Sequence, residues 1–294
     1  MSVETLGQFL ISGVTSGSIY ALSAIGFILI FNASNIVNFA QGEFVMLAGL
    51  IAATLYGFVR LPLWACVPLS VLIVAIVGIV FERLVIRPIR HVPILAQIMV
   101  TIGVSYVIKF GAMVIWGNEA KPLPAFSGET PVPLGGGVVI HSQTLWILAA
   151  IVLVLAGMQF FYRRTWMGKA MRACAINEQA AALAGISVPA MVRLSFLLGA
   201  GMGALGGVLI APLYSASYDS GTVVGLKGFT AAIVGGFGNV YGAALGGLIV
   251  GIVESLSIGF ISSGYKDAIA FVVLLLVLFL RPRGLIGEIQ AERV

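Results

Sequence analysis

Long apolar runs, separated by short polar, glycine-rich or proline-containing breaks, occupy most of this 294-residue chain. Several runs reach the roughly 20 residues that an α-helix needs to cross a bilayer. A shorter run at about 226–237 indicates a broken or re-entrant helix. We therefore expect an all-α polytopic membrane protein with about 8–9 transmembrane helices. The predicted full spans are about 7–31, 43–59, 63–82, 94–116, 144–162, 190–212, 240–262 and 267–280.

The composition excludes an ordinary soluble protein. The chain is 60% hydrophobic and 9% charged, whereas soluble domains carry about 25% charged residues. The first residues, MSVETLGQFL, lack the basic segment of a secretory signal, so we expect direct insertion. No segment between the predicted spans is long enough for a soluble domain, and we therefore treat 1–294 as a single transmembrane domain.

The basic residues predict the orientation of the chain. Most of the 16 Lys and Arg residues lie in the segments 82–93 and 163–193 and in the C-terminal tail. The positive-inside rule places these segments, and the C-terminus with them, in the cytoplasm. The segment 117–143 has Glu119 and Glu129 against one lysine and is expected to be a periplasmic loop. The net charge of +5 thus reflects orientation, and we expect no nucleic acid partner.

The sequence offers no catalytic chemistry of its own. It contains no G-x-x-x-x-G-K-[ST] phosphate-binding loop, and its G-x-G-x-x-G match at 201–206 lies inside an apolar run rather than in a βαβ unit. It also lacks a paired nucleophile and base at membrane depth, so we do not expect an enzyme. We expect no metal centre, disulfide or cofactor, because the candidate ligands lie far apart. These are His91, His141, Cys66 and Cys174.

Polar side chains at membrane depth are costly and usually face the protein interior or a water-filled path. The densest group follows the first predicted span and comprises Asn32, Asn35, Asn38 and Gln41. If the helix continues, Asn35, Asn38 and Gln41 share one face. The group then has two open interpretations: it satisfies the backbone at a helix break, or it lines a path for a polar substrate.

Further pathway candidates lie on later spans. Thr101 and Ser105 recur at a four-residue spacing on the fourth predicted span, followed by Lys109, whose ammonium group we expect to reach towards an interface. Glu254 lies mid-span and needs a partner or a water. No chain of acidic residues runs through the spans, which favours a gate driven by a separate protein over a proton-driven carrier.

Glycines recur every four residues on several spans. This spacing places them on one helix face, where two backbones can approach closely, so we predict tight helix packing there. The stripes are Gly199, Gly203 and Gly207; Gly238, Gly242 and Gly246; and Gly247 and Gly251.

The basic segment 163–189 is the most informative connection between spans. Its alanine-rich part, about 168–185, favours a helix, with Gly185 as a helix stop and Pro189 as a restart. A short helix held along the membrane can transmit motion from a cytoplasmic partner. We therefore predict a cytoplasmic coupling loop, with an ordinary hairpin between spans as the alternative.

Four segments carry a family resemblance: SGSIYALSAIGFILIFNASNIVNFAQGEF, MVTIGVSYVIKF, RRTWMGKAMRACAINEQAAALAGI and GLKGFTAAIVGGFGNVYGAALGGLIVGIVE. Together they resemble the LivH-like permease subunits of ABC importers for branched-chain (hydrophobic) amino acids. The resemblance implies an ABC importer permease bundle in a bacterial inner membrane, which provides the translocation pathway by alternating access. It also implies partners: a second similar permease (or a copy of this chain), two cytoplasmic ATPase subunits and a periplasmic substrate-binding protein.

The resemblance further implies a helix within 163–189 that contacts an ATPase. Many ABC permeases carry an E-A-A-x3-G pattern there, which this chain fits with glutamine in place of glutamate. The implied ATPase-coupling residues are Arg172, Asn177, Gln179, Ala180, Ala181 and Gly185.

Two other transport functions stay open at this point. One is a related ABC permease for urea, short amides or another small solute. The other is a stand-alone secondary carrier, which uptake without any ATPase would favour.

Overall fold

A computed structural model describes residues 3–128, 130–135, 138–281 and 283–286. Within these residues, seven helices are long and apolar enough to cross a membrane by length and composition. Two shorter helices complete the bundle: α2 has 17 residues and α10 has 16. The predicted all-α membrane class is confirmed. Glu129 and the tail beyond 286, which contributed to the predicted orientation, lie outside the described residues.

The elements follow the predicted spans closely. The short helix α10 begins earlier than predicted, at Ser220 rather than near 226, and ends at Gly235. In chain order, the helices and strands are α1 (Val3–Ser34), α2 (Gln41–Gly57), α3 (Leu63–Phe81), a π-helical turn (Glu82–Ile86), α4 (Arg87–Ile89), α5 (Ile94–Trp116), β1 (Pro131–Gly135), β2 (Val138–His141), α6 (Ser142–Arg164), α7 (Trp166–Ile176), α8 (Glu178–Leu183), α9 (Val188–Tyr214), α10 (Ser220–Gly235), α11 (Val240–Phe260), a 3₁₀ turn (Ser263–Tyr265) and α12 (Lys266–Leu280).

Helix α1 forms the centre of the bundle. Its apolar window is 83% buried, whereas the corresponding windows of α5 and α12 are 11% and 6% buried. The helices α9, α10 and α11 pack around α1, and α2 packs between α9 and α10. Because α5 and α12 expose most of their apolar side chains, lipid or a partner subunit must cover them in the membrane.

Glycines allow the closest helix contacts, as their spacing predicts. At the α1–α11 contact, a Cβ built on Gly17 would lie 2.8 Å from both Leu248 Cα and Gly247 O, a separation that real side chains do not tolerate. On α9, a Cβ on Gly199 would lie 2.9 Å from the carbonyl oxygen of Gly26. The predicted stripe through Gly238 is wrong at that residue, which lies in the turn before α11 with φ of +106°.

The two ends of the bundle differ in structure. At one end, the antiparallel hairpin β1–β2 forms within the polar segment 117–143, and the side-chain amide of Gln8 donates to Val139 O at 2.8 Å. We call this the hairpin end. At the other end, Arg90 lies in the connection between α4 and α5. Its Nη2 is 3.5 Å from Oε1 of Glu178, the first residue of α8. We call this the basic end.

The segment after α12 supplies hydrogen-bond donors to the C-terminal end of α10. The backbone N–H groups of Leu285 and Ile286 donate to the carbonyl oxygens of Val234 and Gly235 at 2.9 and 3.0 Å. These carbonyls lie in the last turn of α10, where a helix has no N–H donors of its own left for them.

Candidate functional site

The polar segment between α1 and α2 is a helix break. Asn35 has φ of +55°, and Asn38 Oδ1 accepts the N–H of Ala40 at 3.1 Å. The hydroxyl group of Ser34 accepts the N–H of Ile36 at 3.2 Å. Such short polar side chains compete with helical hydrogen bonds and stabilise turns. The prediction that Asn35, Asn38 and Gln41 share a helix face is therefore wrong, because the helix does not continue through them.

Two amide side chains fasten this break to neighbouring helices. Gln41 is fully buried and donates through Nε2 to Gly199 O on α9 at 2.8 Å. Asn32 donates through Nδ2 to Gly238 O, in the turn before α11, at 2.8 Å. A buried carbonyl group without a donor is costly, so both bonds contribute to the packing of α1 and α2 against the bundle.

A second polar group lies where α2 meets α5. Ser105 donates to Glu43 Oε1 at 2.8 Å, and Glu43 is only 1% exposed. The backbone N–H of Phe39 approaches Thr101 Oγ1 at 3.5 Å, at the long limit for a hydrogen bond. Lys109 Nζ donates to Thr222 Oγ1 in the first turn of α10 at 3.2 Å. We call Glu43, Ser105, Lys109 and Thr222 the central cluster.

A third group is an ion cluster between α10, α11 and α12. Lys227 Nζ lies 2.6 Å from Glu254 Oε1 and 2.7 Å from Asp267 Oδ1. The same ammonium group approaches the hydroxyl oxygen of Tyr20 at 3.3 Å. Lys227 and Glu254 are 4% and 6% exposed, and burial of such charges is tolerated only when they are paired. Glu254 was predicted to need a partner or a water, and Lys227 is that partner.

The alanine-rich connection contains two short helices rather than one. Thr165 caps α7 by accepting the N–H of Gly168 at 3.0 Å, and Asn177 caps α8 by accepting the N–H of Ala180 at 2.9 Å. Gly185 ends the second helix with φ of +82°, which glycine adopts without strain. The predicted helix stop and the restart at Pro189 agree with this geometry, but the predicted continuous helix is interrupted at Asn177.

The coupling candidates differ in exposure. Ala181 is buried, and its carbonyl oxygen accepts the N–H of Ile186 at 3.0 Å, which folds the end of α8 back towards α9. The guanidinium group of Arg172 lies 5.6 Å from the ring centre of Tyr162, a cation–π contact between α7 and α6. The exposed candidates are Arg172, Asn177, Gln179, Ala180 and Gly185. They present a surface that a cytoplasmic partner can reach.

The connection 163–189 contains one cysteine, Cys174, and its thiol has low reactivity. Cys174 is a free, buried thiol on α7. Burial raises the pKa of its thiol, and the nearby carboxylate of Glu178 raises it further. The thiol therefore stays protonated at neutral pH and is a poor nucleophile.

Comparison with known proteins places these features in a family. The family model described as "Branched-chain amino acid transport system / permease component" matches residues 9–278. The chain belongs to this permease family. The predicted resemblance is thereby confirmed.

Individual relatives match the permease along nearly its whole length. The high-affinity branched-chain amino acid transport system permease protein LivH of Escherichia coli K12 is 33% identical, over 98% of this chain and 97% of LivH. The corresponding protein BraD of Pseudomonas aeruginosa is 33% identical over the same shares of each chain. LivH of Salmonella typhimurium is 32% identical, again over 98% and 97%.

A solved structure supports the fold of the permease. PsaBC from Streptococcus pneumoniae in complex with Fab matches with a TM-score of 0.53, covering 96% of this chain and 94% of that chain. The two chains share 14% identity, so this likeness concerns the arrangement of helices alone.

The permease brings together some predicted pathway residues and separates others. Thr101 and Ser105 lie against the α1–α2 break, whereas Glu254 belongs to the ion cluster. Sequence reasoning missed Glu43, Lys227 and Asp267 as site residues. Lys227 carried an available signal, because it is a lone charge within a glycine-rich apolar run.

Proposed function

We propose that this permease is the membrane-spanning subunit of an ATP-driven importer for branched-chain or other hydrophobic amino acids. The family match over residues 9–278 carries the proposal, and the full-length relatives are named for transport of this substrate class. We further propose that it resides in a bacterial inner membrane with a cytoplasmic C-terminus, because the basic segments lie at one end of the bundle.

The proposed assembly supplies what this chain lacks. Its sequence has no phosphate-binding loop for ATP, so energy must come from two cytoplasmic ATPase subunits. A second homologous permease (or a copy of this chain) covers the exposed helices, and a periplasmic binding protein delivers the substrate. The permease itself is then a non-catalytic subunit.

Motion would enter the bundle through α7 and α8. The exposed surface of these helices meets the ATPase, and the contact between Ala181 and Ile186 links α8 to the start of α9. Helix α9 packs along α1, α2 and α3. A displacement of α8 therefore reaches the α1–α2 break, where Asn32, Asn35, Asn38 and Gln41 lie beside the proposed path.

Reconstitution tests this function directly. Proteoliposomes that contain the complete importer should accumulate leucine against its gradient only with ATP and binding protein. The permease alone should not concentrate leucine. Accumulation by the isolated chain would contradict the proposal and support a secondary carrier, and accumulation of urea but not leucine by the complete importer would support the other solute class.

Gly185 provides a test of the coupling loop. Changing Gly185 to valine should lower ATP-driven uptake about tenfold, because a left-handed backbone costs a side chain on the order of 1–2 kcal/mol and displaces α8. Changing Gly185 to asparagine, which tolerates this backbone better, is the matched control and should retain most uptake. A Cβ meets nothing within 4 Å here, so the Cβ atom itself causes no clash in either variant.

Uptake and co-purification with the ATPase subunits are the two measurements. Equal uptake by the valine and asparagine variants would show that the geometry at the end of α8 is not needed for coupling.

A further inference from the structure

Two opposite charges in the central cluster lie close together without pairing. Ser105 hydrogen-bonds to Glu43, and Lys109 follows Ser105 by four residues on α5. Residues at this spacing lie on the same helix face, about one turn or 5.4 Å apart. Glu43 and Lys109 nevertheless do not approach within the 4.0 Å of a salt bridge. The two side chains therefore belong to one cluster without forming a direct ion pair.

Both groups keep unused hydrogen-bonding capacity. Glu43 Oε2 is buried and has no hydrogen-bond partner among the described residues. Lys109 has three N–H donors, and within the described part of the chain its ammonium group donates one hydrogen bond, to Thr222. A buried carboxylate oxygen without a donor is costly, so a ligand that supplies one is favoured.

The ion cluster provides an instructive contrast. Lys227 directs its three donors to Glu254, Asp267 and Tyr20. Its capacity is therefore filled by the protein, which is typical of a structural ion pair. One carboxylate oxygen lacks a partner in each cluster, Glu43 Oε2 and Glu254 Oε2, so the contrast lies in the lysines: Lys109 donates one hydrogen bond within the described residues.

The position of the central cluster suits a substrate. Glu43 lies in the first turn of α2, where the helix dipole favours a negative charge, directly after the α1–α2 break. On the adjacent face of α5, Tyr106 is 52% exposed near the middle of the helix. This face of α5 is therefore open to a partner subunit, to lipid or to water.

We propose that Glu43 and Lys109 bind the two charged groups of a zwitterionic α-amino acid during translocation. The ammonium group of the substrate meets the Glu43 carboxylate, and the substrate carboxylate meets the Lys109 ammonium group. Ser105 holds Glu43 in place, and the ring of Tyr218, 5.9 Å from Lys109 Nζ, borders the site. This inference rests on the proposed function and adds a substrate contact within the permease to the selection made by a binding protein.

Binding of leucine and two analogues tests the inference on the purified full chain in nanodiscs. We would measure ligand binding by saturation-transfer NMR. Leucine should bind, whereas 4-methylpentanoate, which lacks the ammonium group, and 3-methylbutylamine, which lacks the carboxylate, should bind on the order of 30-fold more weakly. Changing Glu43 to glutamine or Lys109 to methionine should weaken leucine binding to a similar extent.

Glu82 offers a matched control, because it is another buried carboxylate with an oxygen that lacks a partner. Changing Glu82 to glutamine should leave leucine binding unchanged. If Glu43→Gln fails to fold, Lys109→Met and the analogues still test the site, since Lys109 is only partly buried.

The outcomes separate this inference from the proposed function. Absence of leucine binding, equal binding of the single-charge analogues, or unchanged binding in folded Glu43→Gln and Lys109→Met variants would overturn the inference. If the complete wild-type importer still accumulates leucine with ATP in those cases, the proposed function stands. If it does not, the proposed function fails as well.

Discussion

Replacement of Lys227 by methionine should destabilise the folded permease by about 3–5 kcal/mol, because it leaves a buried carboxylate unpaired. Glu254 is 6% exposed and its Oε1 lies 2.6 Å from the Lys227 ammonium group. Asp267, whose side chain is 53% exposed, can be solvated instead and adds less to the penalty. The measurement is reversible unfolding of the purified chain in detergent.

A double variant separates the lost pair from lost packing. Changing both Lys227 and Glu254 to methionine removes the two charges together, and apolar replacement of a buried ion pair is often close to neutral. The double variant should therefore recover most of the stability that Lys227→Met loses. A double variant as unstable as the single one would show that the ion pair is not what the lysine contributes.

A leucine in place of Gly17 should also cost about 3 kcal/mol or more, by forcing α1 and α11 apart. Even a Cβ at this position would lie 2.8 Å from the backbone of Leu248, and backbone atoms cannot move aside as a flexible side chain can. Overpacking in a well-packed core typically costs about 1–3 kcal/mol, and here both helices would have to shift. Thermal unfolding in detergent should register the loss.

Gly103 on α5 is the matched control for this substitution. A Cβ there meets nothing within 4 Å, because the residue lies on an open face of its helix. Gly103→Leu should leave the unfolding temperature nearly unchanged or raise it, since glycine is a poor helix former. Equal losses at both positions would mean that helix contact does not explain the glycine requirement at Gly17.

The broad architecture was predictable because hydropathy and helix length are local properties. Runs of apolar residues gave the long spans within a few residues, as for the fourth predicted span and α5. The four-residue glycine spacing correctly indicated the α9 contact at Gly199, since face geometry follows from helical period alone.

The polar contacts were less predictable because they join distant segments. Glu254 and Lys227 are 27 residues apart and meet only when α10 and α11 pack together. Nothing in the local sequence around Glu43 specifies Ser105, which is 62 residues away. Only a lone lysine or glutamate in an apolar run signals that some partner must exist.

Side-chain hydrogen bonds to the backbone determine two local features that amino-acid composition did not predict: the start of α8 and the turn between α1 and α2. The alanine content of 168–185 favours a continuous helix, but Asn177 accepts the N–H of Ala180 and starts a new one. At the α1–α2 break, Asn38 bonds to the backbone two residues on in the same way. A three-residue spacing of asparagines was therefore a turn signal rather than a helix face.

The end of α10 depends on a part of the chain that is synthesised much later. The carbonyl oxygens of Val234 and Gly235 receive their hydrogen bonds from Leu285 and Ile286, after α11 and α12. Buried carbonyl groups need a donor. Until residues 285 and 286 have been synthesised, water or another protein must therefore supply the donors for these two carbonyl groups.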